Sequence, residues 1–316
     1  MKQLVIMIPT YNRPDSIKFY LEKVLDALIR YNIDLIICDS STEDKTKEIV
    51  EKKVGKSSGH LFYKRYPSSL YEEKVYQAID GIKKEYTYLW ICSDSYVLNI
   101  EELYGDIAKY MQEDLDIIHI DELDRDGIGN KKYTDCKELF KECFFRMLLY
   151  GGTIINNRVF DTILNRTIFE KYSGTGLYYQ SSLMEYCARN SFIAVRYYNK
   201  RHYTINQYKT KSEWAGRAVW QWSENWYNVV QKLPDIYNEY KPKVLKSSEM
   251  FSLVGLVRLR YFGGLTFKEV HKYESYIKKT SRSNIALVYA ICLIPIPLIT
   301  GPRKLYRLVK SAKKNV

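Results

Sequence analysis

Three short apolar runs in the first hundred residues each end on polar side chains, and this pattern constrains the fold more than any other feature. Leu4-Val5-Ile6-Met7-Ile8 runs into Pro9-Thr10-Tyr11-Asn12-Arg13-Pro14. Leu35-Ile36-Ile37-Cys38 runs into Asp39-Ser40-Ser41-Thr42, and Tyr86 to Cys92 runs into Ser93-Asp94-Ser95. Runs this short and continuously apolar read as strands buried on both faces, as in a parallel sheet covered by helices. In such a sheet ligands bind beyond the carboxyl ends of the strands. Thr10, Asp39 and Asp94 therefore stand where a binding site is expected.

Helical patterns fill the gaps. Pro14 suits a first helical turn, and Ile17, Leu21, Val24, Leu25 and Leu28 then keep helical spacing. Ser40, Ser41 and Thr42 offer N-caps to a helix through Lys45 to Lys52. Leu61-Phe62-Tyr63 reads as a strand, Tyr71 to Ile82 and Ile100 to Met111 as helices, and Ile117 to Ile120 as a further strand. Repeated β-α-β units predict an α/β fold, a mostly parallel sheet flanked by helices, over residues 1–208. The pattern weakens after Asp121. Asp121 to Asp135 reads as a loop, Cys136 to Tyr150 and Gln180 to Asn190 as helices, and Thr153 to Ile155 and Phe192 to Val195 as strands. Residues 209–316 read as a helical C-terminal region rich in tryptophan: Trp214, Trp220, Trp222 and Trp226. Trp222 and Trp226 share a helical face, which points to core packing.

The six cysteines are scattered without a C-x-x-C pair, which excludes a zinc ribbon or disulfide framework and suggests reduced thiols. The chain enters a strand at once, so no signal peptide is expected. No G-x-G-x-x-G follows the first strand, which disfavours a dinucleotide oxidoreductase. The net charge is +12, and no acid follows Glu274 while Arg303, Lys304, Arg307, Lys310, Lys313 and Lys314 do. These cations adjoin the apolar run Ile285 to Ile299, which is too short and too rich in proline to span a bilayer. Apolar run and basic tail together predict peripheral membrane contact over about 285–316, at the cytoplasmic face, and argue against a nucleic-acid partner. A buried helix packing on the rest of the chain is the alternative for 285–299.

At these motifs the chain resembles the family 2 nucleotide-sugar glycosyltransferases of the GT-A, Rossmann-like fold, of the bacterial surface-polysaccharide type. Ile8 to Arg13 is similar to the family's first-strand signature. Asp39-Ser40-Ser41-Thr42-Glu43-Asp44 resembles its second-strand loop, and Leu89 to Tyr96 takes the place of its DXD strand. The resemblance implies that Pro9, Thr10, Tyr11 and Arg13 line a nucleotide pocket. It implies that Asp39 accepts a hydrogen bond from uracil N3–H, and that Asp94 sits by the ribose, diphosphate or metal. Lys74, on the helix before the DXD strand, would approach the pyrophosphate.

The chain departs from the family pattern in two places. Ser93 and Ser95 stand where the family has its two carboxylates, so Mn2+ or Mg2+ would be held weakly by Asp94 and Ser95, or replaced by a cation such as Arg13 or Lys74. The helix that normally opens with the catalytic base starts Tyr178-Tyr179-Gln180 instead. Asp121, Glu122 and Glu185 remain as candidate bases. The implied function is inverting transfer from a UDP-sugar to a lipid-linked glycan acceptor in capsule or other surface polysaccharide biosynthesis. The alternative is a nucleotide-sugar-binding module with impaired catalysis, part of a membrane-associated assembly.

Overall fold

The computed structural model describes residues 2–67, 70–121, 129–148, 151–190, 193–200, 202–209 and 214–299. The chain divides into two compact units, Met1–Thr210 and Lys211–Val316.

The first unit opens with β1 (Lys2–Thr10), α1 (Pro14–Arg30), β2 (Asp34–Asp39), α2 (Lys45–Val54), β3 (Leu61–Arg65), α3 (Tyr71–Asp80) and β4 (Tyr86–Ile91). It continues through β5 (Tyr96–Leu98), α4 (Ile100–Gln112), β6 (Ile117–Asp121), β7 (Lys131–Tyr133), α5 (Cys136–Cys143) and β8 (Thr153–Asn156). It ends with α6 (Phe160–Ile163), α7 (Arg166–Tyr172), α8 (Tyr178–Arg189), β9 (Val195–Asn199) and β10 (Tyr203–Ile205). Among the described residues eight strands form one sheet in the order β3-β2-β1-β4-β8-β6-β9-β7, and β5 pairs with β10. β3, β2, β1 and β4 all run parallel, as do β6 and β9, while β8 runs against both β4 and β6. This is the expected α/β architecture with a mostly parallel sheet.

Register decides which side chains meet at the rim. Thr10 lies opposite Asp39, and Met7 lies opposite Ile91. Beyond Ile91 the chain leaves β4 for a turn that brings the Asp94 carboxylate to the Thr10 hydroxyl. Packing holds the register: Leu4, Ile6 and Ile8 bury against Ile17, Leu21, Val24 and Leu28 of α1. Each such side chain contributes about 1.5–3 kcal/mol on burial. At the opposite rim the buried Asp34 accepts from the Tyr86 hydroxyl at 2.6 Å and pairs with His60 Nδ1 at 2.9 Å, tying the starts of β2, β3 and β4.

Elsewhere the structure departs from the periodicity. β7 falls within the expected loop, and β10 is a strand where none is expected; both are three-residue edge pairings with no apolar alternation to betray them. β9 starts at Val195 rather than ending there, because Tyr197 and Tyr198 bury where the apolar run suggested a strand three residues earlier. α5 stops at Cys143, and the 3-10 turn Arg146–Leu148 aims Arg146 at Asp121.

The second unit is helical: α9 (Trp214–Trp220), a π-turn over Gln221–Asn225, α10 (Trp226–Lys232), α11 (Lys241–Leu245), α12 (Leu253–Tyr261), α13 (Phe267–Lys272), α14 (Glu274–Thr280) and α15 (Ile285–Leu293). Trp226 is a core residue whose Nε1 donates to Leu245 O at 3.1 Å. Its core also takes Leu256, Leu259, Val270 and Ile277, with Val288, Ile291 and Cys292 from α15. The other side of α15 shows Ala286, Leu287, Ala290 and Leu293 to solvent, followed by exposed Ile296 and Leu298. Half of the apolar run is therefore core and half is surface. Among the described residues no helix is long and apolar enough to cross a membrane. The basic stretch from Arg303 lies outside the described residues.

Gly152 precedes β8 where two backbones nearly touch. A Cβ there would stand 2.7 Å from Ile120 O and 3.0 Å from His119 Cε1. Gly152→Ala is expected to cost about 1–3 kcal/mol, read as a lower urea midpoint; an unchanged midpoint contradicts the packing described.

Candidate functional site

The site is assembled where β1, β2 and β4 end. After Thr10 the chain turns into α1 through Asn12, which sits in the left-handed region at φ 52, a conformation asparagine tolerates. The turn lets Asn12 N–H donate to Ser41 Oγ at 2.8 Å, while Asn12 Oδ1 accepts from Thr42 N–H at 2.9 Å. The loops after β1 and β2 are thereby stitched together.

Asp94 is buried and holds three neighbours. Thr10 Oγ1 donates to its Oδ2 at 2.8 Å, and Arg13 Nη1 donates to its Oδ1 at 2.9 Å and to Ser95 Oγ at 3.0 Å. The backbone here is fixed from a distant loop. Asn206 Nδ2 donates to Asp94 O and Ser16 O, both at 2.9 Å, and Asn206 N–H donates to Ser95 O at 3.0 Å.

Asp39 is fully buried. Its Oδ1 accepts from Ser41 N–H at 2.9 Å and from the Ser41 hydroxyl, and its Oδ2 accepts from the Tyr63 hydroxyl at 2.8 Å. Burial and the Asp39 hydrogen bond push Tyr63 up to about 12, so its hydroxyl stays protonated and donating at neutral pH. Arg65 braces the same loop through Asp44 Oδ1 at 2.6 Å and Ser41 O.

Lys74 lies beneath. Its Nζ donates to Thr10 O at 2.7 Å, and the side chain is buried. Burial lowers its pKa, while Cys38, Asp39 and Asp94 act in the other direction. The structure thus makes Lys74 a brace under β1 between two carboxylates; its ammonium is covered rather than presented at the rim. Tyr11, by contrast, is 45% exposed. A cleft of about 270 Å³ lined by Asn12, Pro14, Ser41, Thr42, Glu43, Lys45 and Thr46 opens alongside.

The candidate bases make their hydrogen bonds to other partners than this cluster. Asp121, at the end of β6, accepts from Arg146 Nη1 at 3.1 Å and from the Tyr197 hydroxyl. Glu185, on α8, accepts from Lys171 Nζ at 2.7 Å and the Tyr172 hydroxyl at 2.8 Å. None of these partners belongs to the loops carrying Thr10, Asp39 and Asp94. Glu122 lies outside the described residues. His119 and His202, buried near Asp121, are held neutral by burial, both pushed down to about 4.

The residues present do not fit the divalent metal that the resemblance implies. Among the described residues no group of three or more His, Cys, Asp and Glu side chains gathers. Asp94 brings one carboxylate with both oxygens already engaged, and Ser93 and Ser95 bring neutral hydroxyls where carboxylates would hold a hard dication more strongly. At the positions expected to hold the metal, the carboxylate of Asp94 and the hydroxyl of Ser95 are both engaged by Arg13.

Three contributors escaped the sequence reading. Asn206 lies 112 residues from Asp94 in a loop without pattern. Tyr63 sits in a recognised strand, but nothing local says that it faces Asp39. Asn12 was legible in principle, as an asparagine in a strand-to-helix turn.

Polar side chains converging at adjacent carboxyl ends of parallel strands define an α/β protein with a ligand-binding rim. The model of the family "Glycosyl transferase family 2" matches residues 5–173, more than half of the chain. The chain belongs to that family, and glycosyl transfer from a nucleotide sugar is the activity class that goes with it. No curated protein matches the chain. Among solved structures, S. aureus TarS 1–349 matches with TM-score 0.55 at 12% identity, covering 96% of this chain and 91% of that one. The same protein in complex with UDP matches with TM-score 0.54 at 17% identity, covering 99% and 91%. A mannosyltransferase from Pyrobaculum calidifontis, in complex with GDP-Man and Mn2+, matches with TM-score 0.49 at 12% identity, covering 99% and 86%. At these identities the TarS likeness shows the fold, which is GT-A.

Removing the Lys74 ammonium takes the shortest hydrogen bond from Thr10 O, which keeps only the longer ones from Ser40, and removes a nearby positive charge from Asp39 and Asp94. Lys74→Met is expected to destabilise the protein by about 2–4 kcal/mol in urea unfolding. A variant as stable as the parent contradicts the bracing role.

Proposed function

We propose that this protein is an inverting glycosyltransferase. It takes a sugar from a UDP-sugar and passes it to a lipid-linked glycan at the cytoplasmic face of the membrane, in surface polysaccharide synthesis such as capsule. One observation carries the donor half of this reading. The Thr10–Arg13–Asp94 cluster lies one strand from the Asp39–Ser41–Tyr63 cluster, at the rim where a family 2 chain binds its nucleotide. TarS, similar in fold, was solved with UDP and with UDP-GlcNAc, which supports UDP as the carrier.

In this reading Pro9, Thr10 and Tyr11 line the nucleoside, with the Tyr11 ring facing the base. Asp39 accepts from uracil N3–H, and the Tyr63 hydroxyl yields Oδ2 to it. The acceptor oxygen attacks the anomeric carbon opposite the diphosphate. The bond from that carbon to the phosphate oxygen breaks with its electron pair left on UDP. The acceptor proton passes to a carboxylate, for which Asp121, Glu122 and Glu185 stand as candidates.

The acceptor half rests on α15. Its outward face of Ala286, Leu287, Ala290 and Leu293, with Ile296 and Leu298 beyond, precedes the basic stretch from Arg303. Such a face beside clustered cations suits an anionic bilayer surface.

A second reading, a nucleotide-sugar-binding module with impaired catalysis, draws support from the engaged state of Asp121 and Glu185. Each already holds a cation and a tyrosine hydroxyl.

Two measurements separate these possibilities. In a thermal-shift screen, UDP-sugars should raise Tm while ADP- and GDP-sugars leave it unchanged, and UDP should be released slowly without acceptor. Indifference to every nucleotide sugar contradicts the donor assignment, and stabilisation with no UDP release favours the second reading. In flotation with phosphatidylglycerol-containing vesicles, the wild type should float, and the double variant Leu287→Glu, Leu293→Glu should lose at least about tenfold in bound fraction. A wild type that stays in solution contradicts membrane contact.

A further inference from the structure

We infer that Arg13, in place of a divalent cation, supplies the charge that holds the donor diphosphate. This rests on the donor reading above and deepens it. The inference starts from what occupies the DXD position. Asp94 lies in the turn after β4, between Ser93 and Ser95, hydrogen-bonded to Thr10, and it already carries a cation.

Charge balance points the same way. Asp39 and Asp94 face Arg13 and Lys74, two anions against two cations, so the cluster is balanced as it stands. A dication bound to a diphosphate still takes at least one protein oxygen, best a carboxylate, and the carboxylate at this position, Asp94, already has both oxygens engaged. Entry of Mn2+ would require Arg13 to leave Asp94, or would set two positive charges beside a guanidinium.

Of the two cations only Arg13 is presented. Lys74 is buried with its ammonium on Thr10 O. The Arg13 side chain is 37% exposed, and the hydrogen bonds it makes among the described residues all come from Nη1, to Asp94 and Ser95. The Nε and Nη2 edge remains for an anion, and a planar guanidinium matches phosphate oxygens in pairs. Asp94 then acts as a positioning residue. Its carboxylate, itself fixed by Thr10 and by Asn206 through the backbone, sets the plane of the guanidinium.

The test is calorimetric titration of the whole protein with UDP, and NMR titration with uridine, each in EDTA and in saturating Mn2+. UDP affinity should differ by less than about tenfold between the two conditions. Arg13→Ala should weaken UDP by about tenfold or more while leaving uridine affinity unchanged, and Arg13→Lys should recover part of the loss. Thermal melting of both variants shows that they are folded, and the lysine variant serves if the alanine variant is not. A tightening of UDP by tenfold or more in Mn2+ overturns the inference and leaves the donor reading standing. Equal loss for uridine and UDP in Arg13→Ala also overturns it, since Arg13 would then shape the nucleoside pocket. Failure of UDP to bind in either condition overturns the donor reading and this inference with it.

Discussion

The Asp94 carboxylate is the interaction on which the rim depends. It is buried at the end of β4, and an ionised carboxylate there is costly unless paired and hydrogen-bonded. Thr10 from β1 and Arg13 from the start of α1 satisfy it, so three chain segments are locked by one side chain. Because Arg13 is more than a third exposed, the pair gives less stability than the about 3–5 kcal/mol seen on breaking a fully buried one. Its weight lies in geometry: it fixes where the guanidinium points.

A second lock sits one strand away and is wholly internal. Asp39 spends both oxygens on Ser41 and Tyr63, and the Lys74 ammonium beneath is felt by Asp39 and Asp94 alike. The loops after β1, β2 and β4 therefore share a network of buried polar groups. Such networks stabilise one arrangement only when every member is satisfied. That is a reason for the rim to be preformed before any nucleotide arrives.

What was legible in the sequence follows from where the physics is local. Strands such as Leu4 to Ile8 and helices such as Pro14 to Arg30 announce themselves, because burial imposes a period on neighbouring residues. That the loops of Thr10, Asp39 and Asp94 come together was legible because strand ends in a parallel sheet share one rim. Lys74 was placed on the right helix, but its depth was invisible: the spacing of α3 says which face is apolar, not that a lysine on it is covered. β7 and β10 were missed because a three-residue edge pairing is decided by the partner strand. The departure at Ser93 and Ser95 was legible at once, whereas Arg13 as the partner of Asp94 needed the turn through Asn12 to be seen.

The most direct measurement of the central claim is a crystal structure of the protein soaked with UDP. The account predicts density at the joined ends of β1, β2 and β4, with the base over Tyr11 beside Asp39 and a phosphate oxygen within hydrogen-bonding distance of Arg13. Density for UDP on any other surface, with these loops empty, would contradict it.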